Sequence, residues 1–304
     1  MTDQDDSHPD AHANHPLAVS APAVADLPPP ELRYRRRMTI PQALREAWAA
    51  REITRSLAER SIRSRYKQAV LGFAWSLLTP LILMVAFTVL FKRVASGHNL
   101  GVPSNVPYPL FSYIALVPWT FFSNSIGNAS TSIIGNITLI NKVPCPREVF
   151  PLSGVAMAAF DAVLSLIALV VLFAGFTFMP RPTSYWVPLI LLIMLAFVVG
   201  TSILCSVLVV YVRDLRTALP LALQFGLFVT PIAYGFSVIP RSIRGIYSVI
   251  NPLGPTIESL RRTVLYGVAP QGQYLALAAL GATVYLVGGY WLFKRMEAGI
   301  ADIA

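Results

Sequence analysis

The chain has 304 residues, of which 55% are hydrophobic and only 13% are charged. Soluble domains carry about 25% charged residues, so this composition indicates an integral membrane protein and argues against a soluble enzyme. The net charge is +9, and its uneven placement fits lipid headgroups and membrane topology better than nucleic acid. We therefore expect contacts with membrane lipids and no nucleic-acid partner.

Residues 1–40 differ from the rest of the chain. They are rich in Pro and Ala and poor in large apolar residues, which is typical of a disordered tail. They lack a basic segment followed by an apolar one, so they do not resemble a secretory signal peptide. His8, His12 and His15 have a spacing that could suit a metal, but a disordered tail would not hold the ligand geometry, and we expect no metal site.

Long uncharged stretches follow the tail. The first covers residues 68–91, and its 24 residues would form a helix of about 36 Å, enough to cross a hydrocarbon core of ~30 Å. Backbone polar groups in lipid must be satisfied within the segment, so such stretches predict transmembrane helices. We predict an all-α integral membrane domain over residues 41–304, with six spans at residues 72–91, 108–127, 152–178, 186–211, 218–237 and 274–293.

The basic residues predict the orientation of these spans. With a cytoplasmic N-terminus, seventeen Lys and Arg residues lie on the cytoplasmic side and seven lie outside. The positive-inside rule therefore places both chain termini in the cytoplasm.

Two segments outside the spans have helical patterns of their own. Residues 41–68 are rich in Arg and predict an amphipathic interfacial helix, which either contacts a cytoplasmic partner or serves as a basic anchor. Its apolar residues do not share one face, so we expect a bend near residues 49–53 or two helices. Residues 239–272 predict two short external helices that re-enter or lie on the outer leaflet, with Pro255 in a first turn and Gly267 at a helix end. An ordinary external loop is the alternative.

Sequence motifs of catalysis are absent. The chain has no Gly-x-x-x-x-Gly-Lys-Ser/Thr phosphate loop, no Gly-x-Ser-x-Gly motif and no His-Glu-x-x-His motif. We therefore expect no catalytic residues and no bound cofactor. Asp161 is the one carboxylate clearly inside a predicted span. It is either a structural hydrogen-bonding group, near Ser153 and Ser165, or part of a proton relay.

The second predicted span combines aromatic and polar residues. Aromatic faces stack on sugar rings while hydroxyl and amide groups bond to the rim, so this span suits a carbohydrate path. An aromatic belt with helix-packing polar residues is an equally good interpretation. The candidate path residues are Trp75, Tyr108, Tyr113, Trp119, Phe121, Phe122 and Asn124.

Several motifs in order resemble one family. They are the run Arg63-Ser-Arg-Tyr-Lys-Gln-Ala-Val-Leu-Gly-Phe-Ala-Trp75, Pro118-Trp-Thr-Phe-Phe-Ser-Asn124, Leu139-Ile-Asn-Lys-Val-Pro144, Pro146-Arg-Glu148, Val212-Arg-Asp-Leu215 and Asn251-Pro-Leu253. Residues from about 58 to the C-terminus resemble the permease subunits of ATP-binding-cassette exporters for O-antigen, teichoic acid and capsule polysaccharides.

The resemblance implies a specific assembly. Two copies of the chain would form a homodimer around a channel for a lipid-linked polysaccharide in the bacterial cytoplasmic membrane, and a separate ATPase subunit would bind ATP. Residues 141–148 would dock on that ATPase. The candidate coupling residues are Asn141, Lys142, Pro144, Arg147 and Glu148, with Arg63, Arg65 and Lys67 on the interfacial helix. A solvated charge pair is the alternative for Arg147 and Glu148.

Two other functions remain open from the sequence. An integral-membrane glycosyl- or phosphotransferase would need clustered acidic or His residues at one membrane face, where the cytoplasmic loops hold only isolated Glu148 and Asp214. An ion-coupled secondary transporter would need paired intramembrane charges or broken-helix repeats, and Asp161 is the one candidate.

Overall fold

The computed structural model describes residues 45, 49–67, 74–94, 101–142 and 145–299. The predicted tail, residues 1–40, lies outside this part of the chain. Within the described residues every regular element is helical, which confirms the all-α prediction there. The α-helices are α1 (Arg51–Tyr66), α2 (Ala74–Val94), α3 (Tyr108–Gly135), α4 (Ile137–Lys142), α5 (Val149–Gly175), α6 (Val187–Tyr211), α7 (Leu215–Val229), α8 (Arg241–Ile250), α9 (Leu253–Arg261) and α10 (Gly272–Met296).

Among the residues that the structure describes, four segments are long and apolar enough to cross a membrane. They are Ala74–Phe91, Val149–Gly175, Pro182–Tyr211 and Gly272–Met296, with mean hydropathies of 2.1, 2.5, 2.7 and 1.6. They include most of α2 and the whole of α5, α6 and α10. These helices agree with four of the six predicted spans, although their ends differ by a few residues.

The other two predicted spans correspond to α3 and α7. Helix α3 has 28 residues, many of them Ser, Thr or Asn, and it is not among the four apolar segments. Helix α7 has only 15 residues, or about 22 Å, which is less than the ~30 Å of a hydrocarbon core. A count of six therefore requires both α3 and α7 to lie in the bilayer, and this count stays a prediction.

The predicted end of the fifth span is wrong. We placed it at residue 237, whereas α7 ends at Val229 and Thr230 is extended, with φ −81° and ψ 135°. Pro231 follows, and a proline disfavours the helical conformation of the residue before it. The eight residues beyond α7 therefore form a separate connection to the next helices.

Helix α3 lies at the centre of the packing. It contacts α2, α5, α6, α7 and α9, and most of its first half is buried. Its hydroxyl groups bond largely within the helix: Ser112 donates to the carbonyl of Pro109 at 3.1 Å, and Thr120 donates to that of Val117 at 3.0 Å. Most hydroxyl groups of this helix are thus satisfied without solvent, whereas the buried Oγ of Ser125 has no hydrogen-bond partner in the described residues.

Helices α6 and α10 approach each other at two glycines. A Cβ at Gly200 would lie 2.5 Å from the backbone nitrogen of Leu286, and a Cβ at Gly289 would lie 2.5 Å from the carbonyl oxygen of Gly200. Any side chain at either position would separate the two backbones. Small residues at such crossings permit the close packing that holds membrane helices together.

The two segments outside the spans are helical where they are described. Ala50 is in a turn and α1 begins at Arg51, inside the interval where we expected a bend. Helices α8 and α9 are the two short helices expected in residues 239–272. Pro255 is in the first turn of α9, and Gly267, with φ +72°, ends the π-helical turn Arg262–Tyr266. Their re-entry into the membrane stays a prediction.

Candidate functional site

A cavity of about 450 Å³ lies between α1, α2, α3 and α5. Its walls combine tryptophan faces with hydroxyl, amide and charged groups. Trp75 is 55% exposed, whereas Trp119 is almost buried at 6%. The lining residues are Arg65, Tyr66, Trp75, Ser76, Thr79, Pro80, Leu83, Trp119, Thr120, Phe121, Ser123, Asn124, Asp161, Ala162 and Ser165.

A second cavity of about 600 Å³ lies between α2, α3 and α7. It shares Leu83, Trp119, Ser123 and Asn124 with the first cavity. The other walls come from α7 and are mainly apolar: Pro220, Leu223, Gln224, Phe225, Leu227 and Phe228. The two cavities therefore meet at the part of α3 that carries Trp119, Ser123 and Asn124. The first cavity is the more polar of the two, and the second is mainly apolar.

The predicted path residues divide into two groups. Trp75, Trp119, Phe121 and Asn124 line the first cavity, and Trp119 and Asn124 also line the second. The other three, Tyr108, Tyr113 and Phe122, line neither of these cavities.

Those three aromatic residues make contacts within the protein. Tyr113 is fully buried and its hydroxyl donates to the carbonyl of Ser165 at 3.1 Å. The hydroxyl of Tyr108 donates to the carbonyl of Ala233 at 2.8 Å. Phe122 stacks on Phe197 with ring centroids 5.2 Å apart. Their contacts fit the helix-packing interpretation, and the cavity residues fit the path interpretation.

Asp161 is held at one end of the first cavity. Its carboxylate accepts hydrogen bonds from Arg65 at 3.1 Å, from Ser76 at 3.1 Å and from the Tyr66 hydroxyl. Arg65 also donates to the side-chain oxygen of Asn128 at 2.9 Å. These contacts attach α1 to α2, α3 and α5, so they favour the structural alternative for Asp161 over a proton relay.

The Tyr66 hydroxyl acts as a hydrogen-bond donor to Asp161. Burial and its hydrogen bond to Asp161 raise the pKa of Tyr66 above its ordinary value. The hydroxyl therefore stays protonated at neutral pH and donates to the carboxylate.

The predicted coupling residues occupy two different environments. On α1 the Arg63 side chain is 82% exposed and lies 3.9 Å from Glu59, and Lys67, just after the helix, is also exposed. Asn141 and Lys142 end α4. Pro144 lies outside the described residues.

Arg147 and Glu148, by contrast, bond within the chain. Glu148 is fully buried, and its carboxylate lies 2.8 Å from the Lys294 ammonium. Arg147 donates to the backbone carbonyl of Glu297. We had expected both side chains at a partner subunit. In this structure the carboxylate of Glu148 instead faces the last helix.

Arg261 is a buried residue that the sequence analysis missed, because we counted it as an external positive charge. Its guanidinium is fully buried, lies 3.6 Å from the ring centroid of Phe111, and is 3.8 Å from Glu258. It donates to four backbone carbonyls, those of Phe111, Pro231, Ile232 and Tyr234. Glu258 and Arg261 are three residues apart on a helix, and this spacing in the sequence could have indicated an ion pair between them.

The Arg261 contacts join α9 to α3 and to the connection after α7. Burial raises the pKa of Glu258 above its ordinary value, and the neighbouring Arg261 acts in the opposite direction. A buried guanidinium is tolerated only when it is well hydrogen-bonded, and here each of the three guanidinium nitrogens donates to at least one carbonyl.

Among the described residues, no group of three or more His, Cys, Asp or Glu side chains is arranged to hold a metal ion. His8, His12 and His15 lie outside those residues, so the expectation of no metal in the tail stays a prediction.

Comparison with known proteins places the chain in a family. The ABC-2 type transporter family matches residues 53–265, more than half of the chain. The O-antigen export system permease protein RfbA of Klebsiella pneumoniae is 30% identical over 250 residues, which cover 81% of this chain and 93% of the relative. RfbA of Myxococcus xanthus is 29% identical over 263 residues, covering 85% and 98%. The polysialic acid transport protein KpsM of Escherichia coli is 27% identical over 251 residues, covering 78% and 91%. The chain therefore belongs to the ABC-2 type transporter family.

Proposed function

We propose that this chain is the membrane permease subunit of an ATP-driven exporter that moves a lipid-linked polysaccharide outward across the bacterial cytoplasmic membrane. The names of its relatives support this function, since they describe O-antigen export and polysialic acid transport. The family match and the apolar helices support a membrane component of such a system.

The observation that carries the proposal is the pair of cavities that meet at Trp119 and Asn124. Tryptophan faces and nearby hydroxyl and amide groups can contact the apolar face and the polar rim of a sugar ring. The apolar wall from α7 can accept the hydrocarbon part of a lipid carrier. Together they suit a substrate that is part sugar and part lipid.

The proposal includes two kinds of partner. A separate ATPase subunit would bind and hydrolyse ATP, since the sequence of this chain has no phosphate loop. A second copy of the chain would complete the channel. The exposed basic residues of α1 and the end of α4 are the surfaces we assign to the ATPase, with both chain termini in the cytoplasm and α8 and α9 on the outer side.

The contacts of Asp161 weigh against an ion-coupled transporter. Its two carboxylate oxygens accept bonds from Arg65, Tyr66 and Ser76, so the group serves as a fixed acceptor that links helices. An intramembrane acid that relays protons needs a partner to which it can pass the proton, and these three contacts serve anchoring instead.

A matched pair of tryptophans tests the path. Trp75 is 55% exposed and lines the first cavity, whereas Trp291 is 53% exposed on α10 and lines neither cavity. Trp75→Ala should lower the amount of polysaccharide at the cell surface, while Trp291→Ala should leave it near the level of the parent strain. Both variants should reach the membrane in equal amounts. Equal export by the two variants would contradict the assignment of this cavity to the substrate.

A further inference from the structure

A group of charged and hydroxyl side chains joins the segment before α5 to the end of α10. The Glu148 carboxylate lies 2.8 Å from the Lys294 ammonium and accepts a hydrogen bond from the Tyr290 hydroxyl at 3.3 Å. Lys294 also lies 3.0 Å from the carboxylate of Glu297. Glu148 is fully buried, whereas the Lys294 side chain is 18% exposed.

Backbone contacts strengthen the same junction. Arg147 donates to the carbonyl of Glu297. The hydroxyl of Tyr211, at the end of α6, donates to the carbonyl of Met296 at 2.6 Å. The last turn of α10 is therefore attached both to the segment before α5 and to α6. We call Glu148, Lys294 and Glu297, with Arg147, the α10 clasp.

The burial of Glu148 makes its ion pair with Lys294 the important contact of the α10 clasp. A buried carboxylate is costly unless it is paired, and a buried ion pair is often no more stabilising than apolar residues of similar size. The pair nevertheless favours one arrangement, because the fully buried carboxylate of Glu148 is strongly unfavourable without Lys294. The two segments can separate only if Glu148 loses its partner, so they are held in one arrangement.

We propose that the Glu148–Lys294 pair is a positioning pair that makes the segment before α5 and the last helix move together. This inference rests on the proposed function, in which the chain docks on the ATPase at the end of α4, the segment that leads to Arg147 and Glu148. Because Glu148 is fully buried, we assign it a positioning role rather than a contact with ATP or the transported substrate. It acts by transmitting a displacement of the docking segment to α10, because the ion pair holds the two as one body.

A charge exchange tests the pair in the full complex of this chain with its ATPase subunit. All variants carry Glu297→Gln and are compared with that parent, so that a carboxylate at position 294 does not face Glu297. The variants are Glu148→Lys, Lys294→Glu and both together. The measurements are co-purification of the ATPase, ATP hydrolysis and export of polysaccharide by the same preparation.

Each single variant should keep the ATPase bound but lower the export per ATP hydrolysed by on the order of tenfold, within the usual range of coupling between sites. The double variant should recover most of this loss. A purely structural role would instead lower hydrolysis and export in proportion to the amount of folded complex. Normal export per ATP in the single variants, or no recovery in a folded double variant, would overturn the proposal.

Milder variants serve if a charge-reversed chain does not fold. Glu148→Gln and Lys294→Met remove one charge each without creating a like-charge contact, and each should also lower export per ATP. An unchanged ratio in both would overturn the proposal. Failure of the proposed function gives a different result: the parent complex itself would bind no ATPase or export no polysaccharide.

Discussion

At the scale of single residues, Arg261 links separate segments of the chain through its hydrogen bonds. A planar guanidinium carries five N–H donors in a fixed geometry, and here it donates to four carbonyls on two separate parts of the chain. Lysine has a single ammonium group and cannot reach the same set. Arg261 therefore determines how α9 is attached to α3 and to the residues after α7.

Replacing Arg261 should be costly. Arg261→Lys leaves buried carbonyls without donors, and each unsatisfied group costs about 1–3 kcal/mol. We expect a clear drop in the thermal unfolding temperature of the purified protein in detergent. Arg262→Lys is the matched control, because Arg262 is partly exposed and donates to the carbonyl of Ala269 at 3.0 Å. Similar unfolding temperatures for the two variants would show that the Arg261 contacts are dispensable.

At the scale of helices, the crossing of α6 and α10 depends on glycine. Gly200 has no room for a methyl group, since its Cβ would lie 2.5 Å from the backbone of α10. Gly288, on α10 itself, has no atom within 4 Å of the corresponding position. A change from glycine to alanine raises helix propensity at both positions, but it disturbs close packing only at Gly200. Comparing the two variants therefore distinguishes the effect of packing from that of helix propensity.

Gly200→Ala should destabilise the protein, because α6 and α10 must move apart, and overpacking of this kind costs about 1–3 kcal/mol. Gly288→Ala should be neutral or stabilising by up to about 1 kcal/mol, since alanine favours a helix over glycine. The measurement is thermal unfolding or resistance to proteolysis in detergent. A Gly200→Ala variant as stable as Gly288→Ala would contradict the close crossing.

Helical periodicity and charge predicted most of the elements but few of their contacts. Uncharged stretches located α2, α5, α6 and α10, and proline and glycine positions located the first turn of α9 and the end, at Gly267, of the π-helical turn that follows it. Such patterns report on residues a few positions apart. Glu148 and Lys294 are separated by 146 residues, and Arg261 and Phe111 by 150. Sequence reasoning consequently assigned Glu148 and Arg261 to surfaces where the structure buries both.

At the scale of the whole molecule, the chain has large apolar surfaces. Helix α7 has no buried residue, and its Phe225 and Phe228 are 66% and 63% exposed. Lipid covers such surfaces in a membrane, and a second copy can cover part of them. We assign the channel of the proposed exporter to an arrangement of two copies related by a two-fold axis.

The homodimer is testable in native membranes. Chemical crosslinking should trap a species near twice the 33.2 kDa of one chain. Crosslinking after dilution with excess lipid is the control for random collision, because a specific dimer resists dilution. A species that stays at the mass of one chain under all conditions would contradict the dimer.

The most direct test of the account is depletion of this chain in growing cells. The account predicts that a lipid-linked polysaccharide accumulates on the cytoplasmic side of the membrane while the same polysaccharide disappears from the cell surface. Lipid extraction with analysis of the attached glycan, together with surface staining, measures both. Normal surface polysaccharide without accumulation of a lipid-linked precursor would contradict the role of this chain in export.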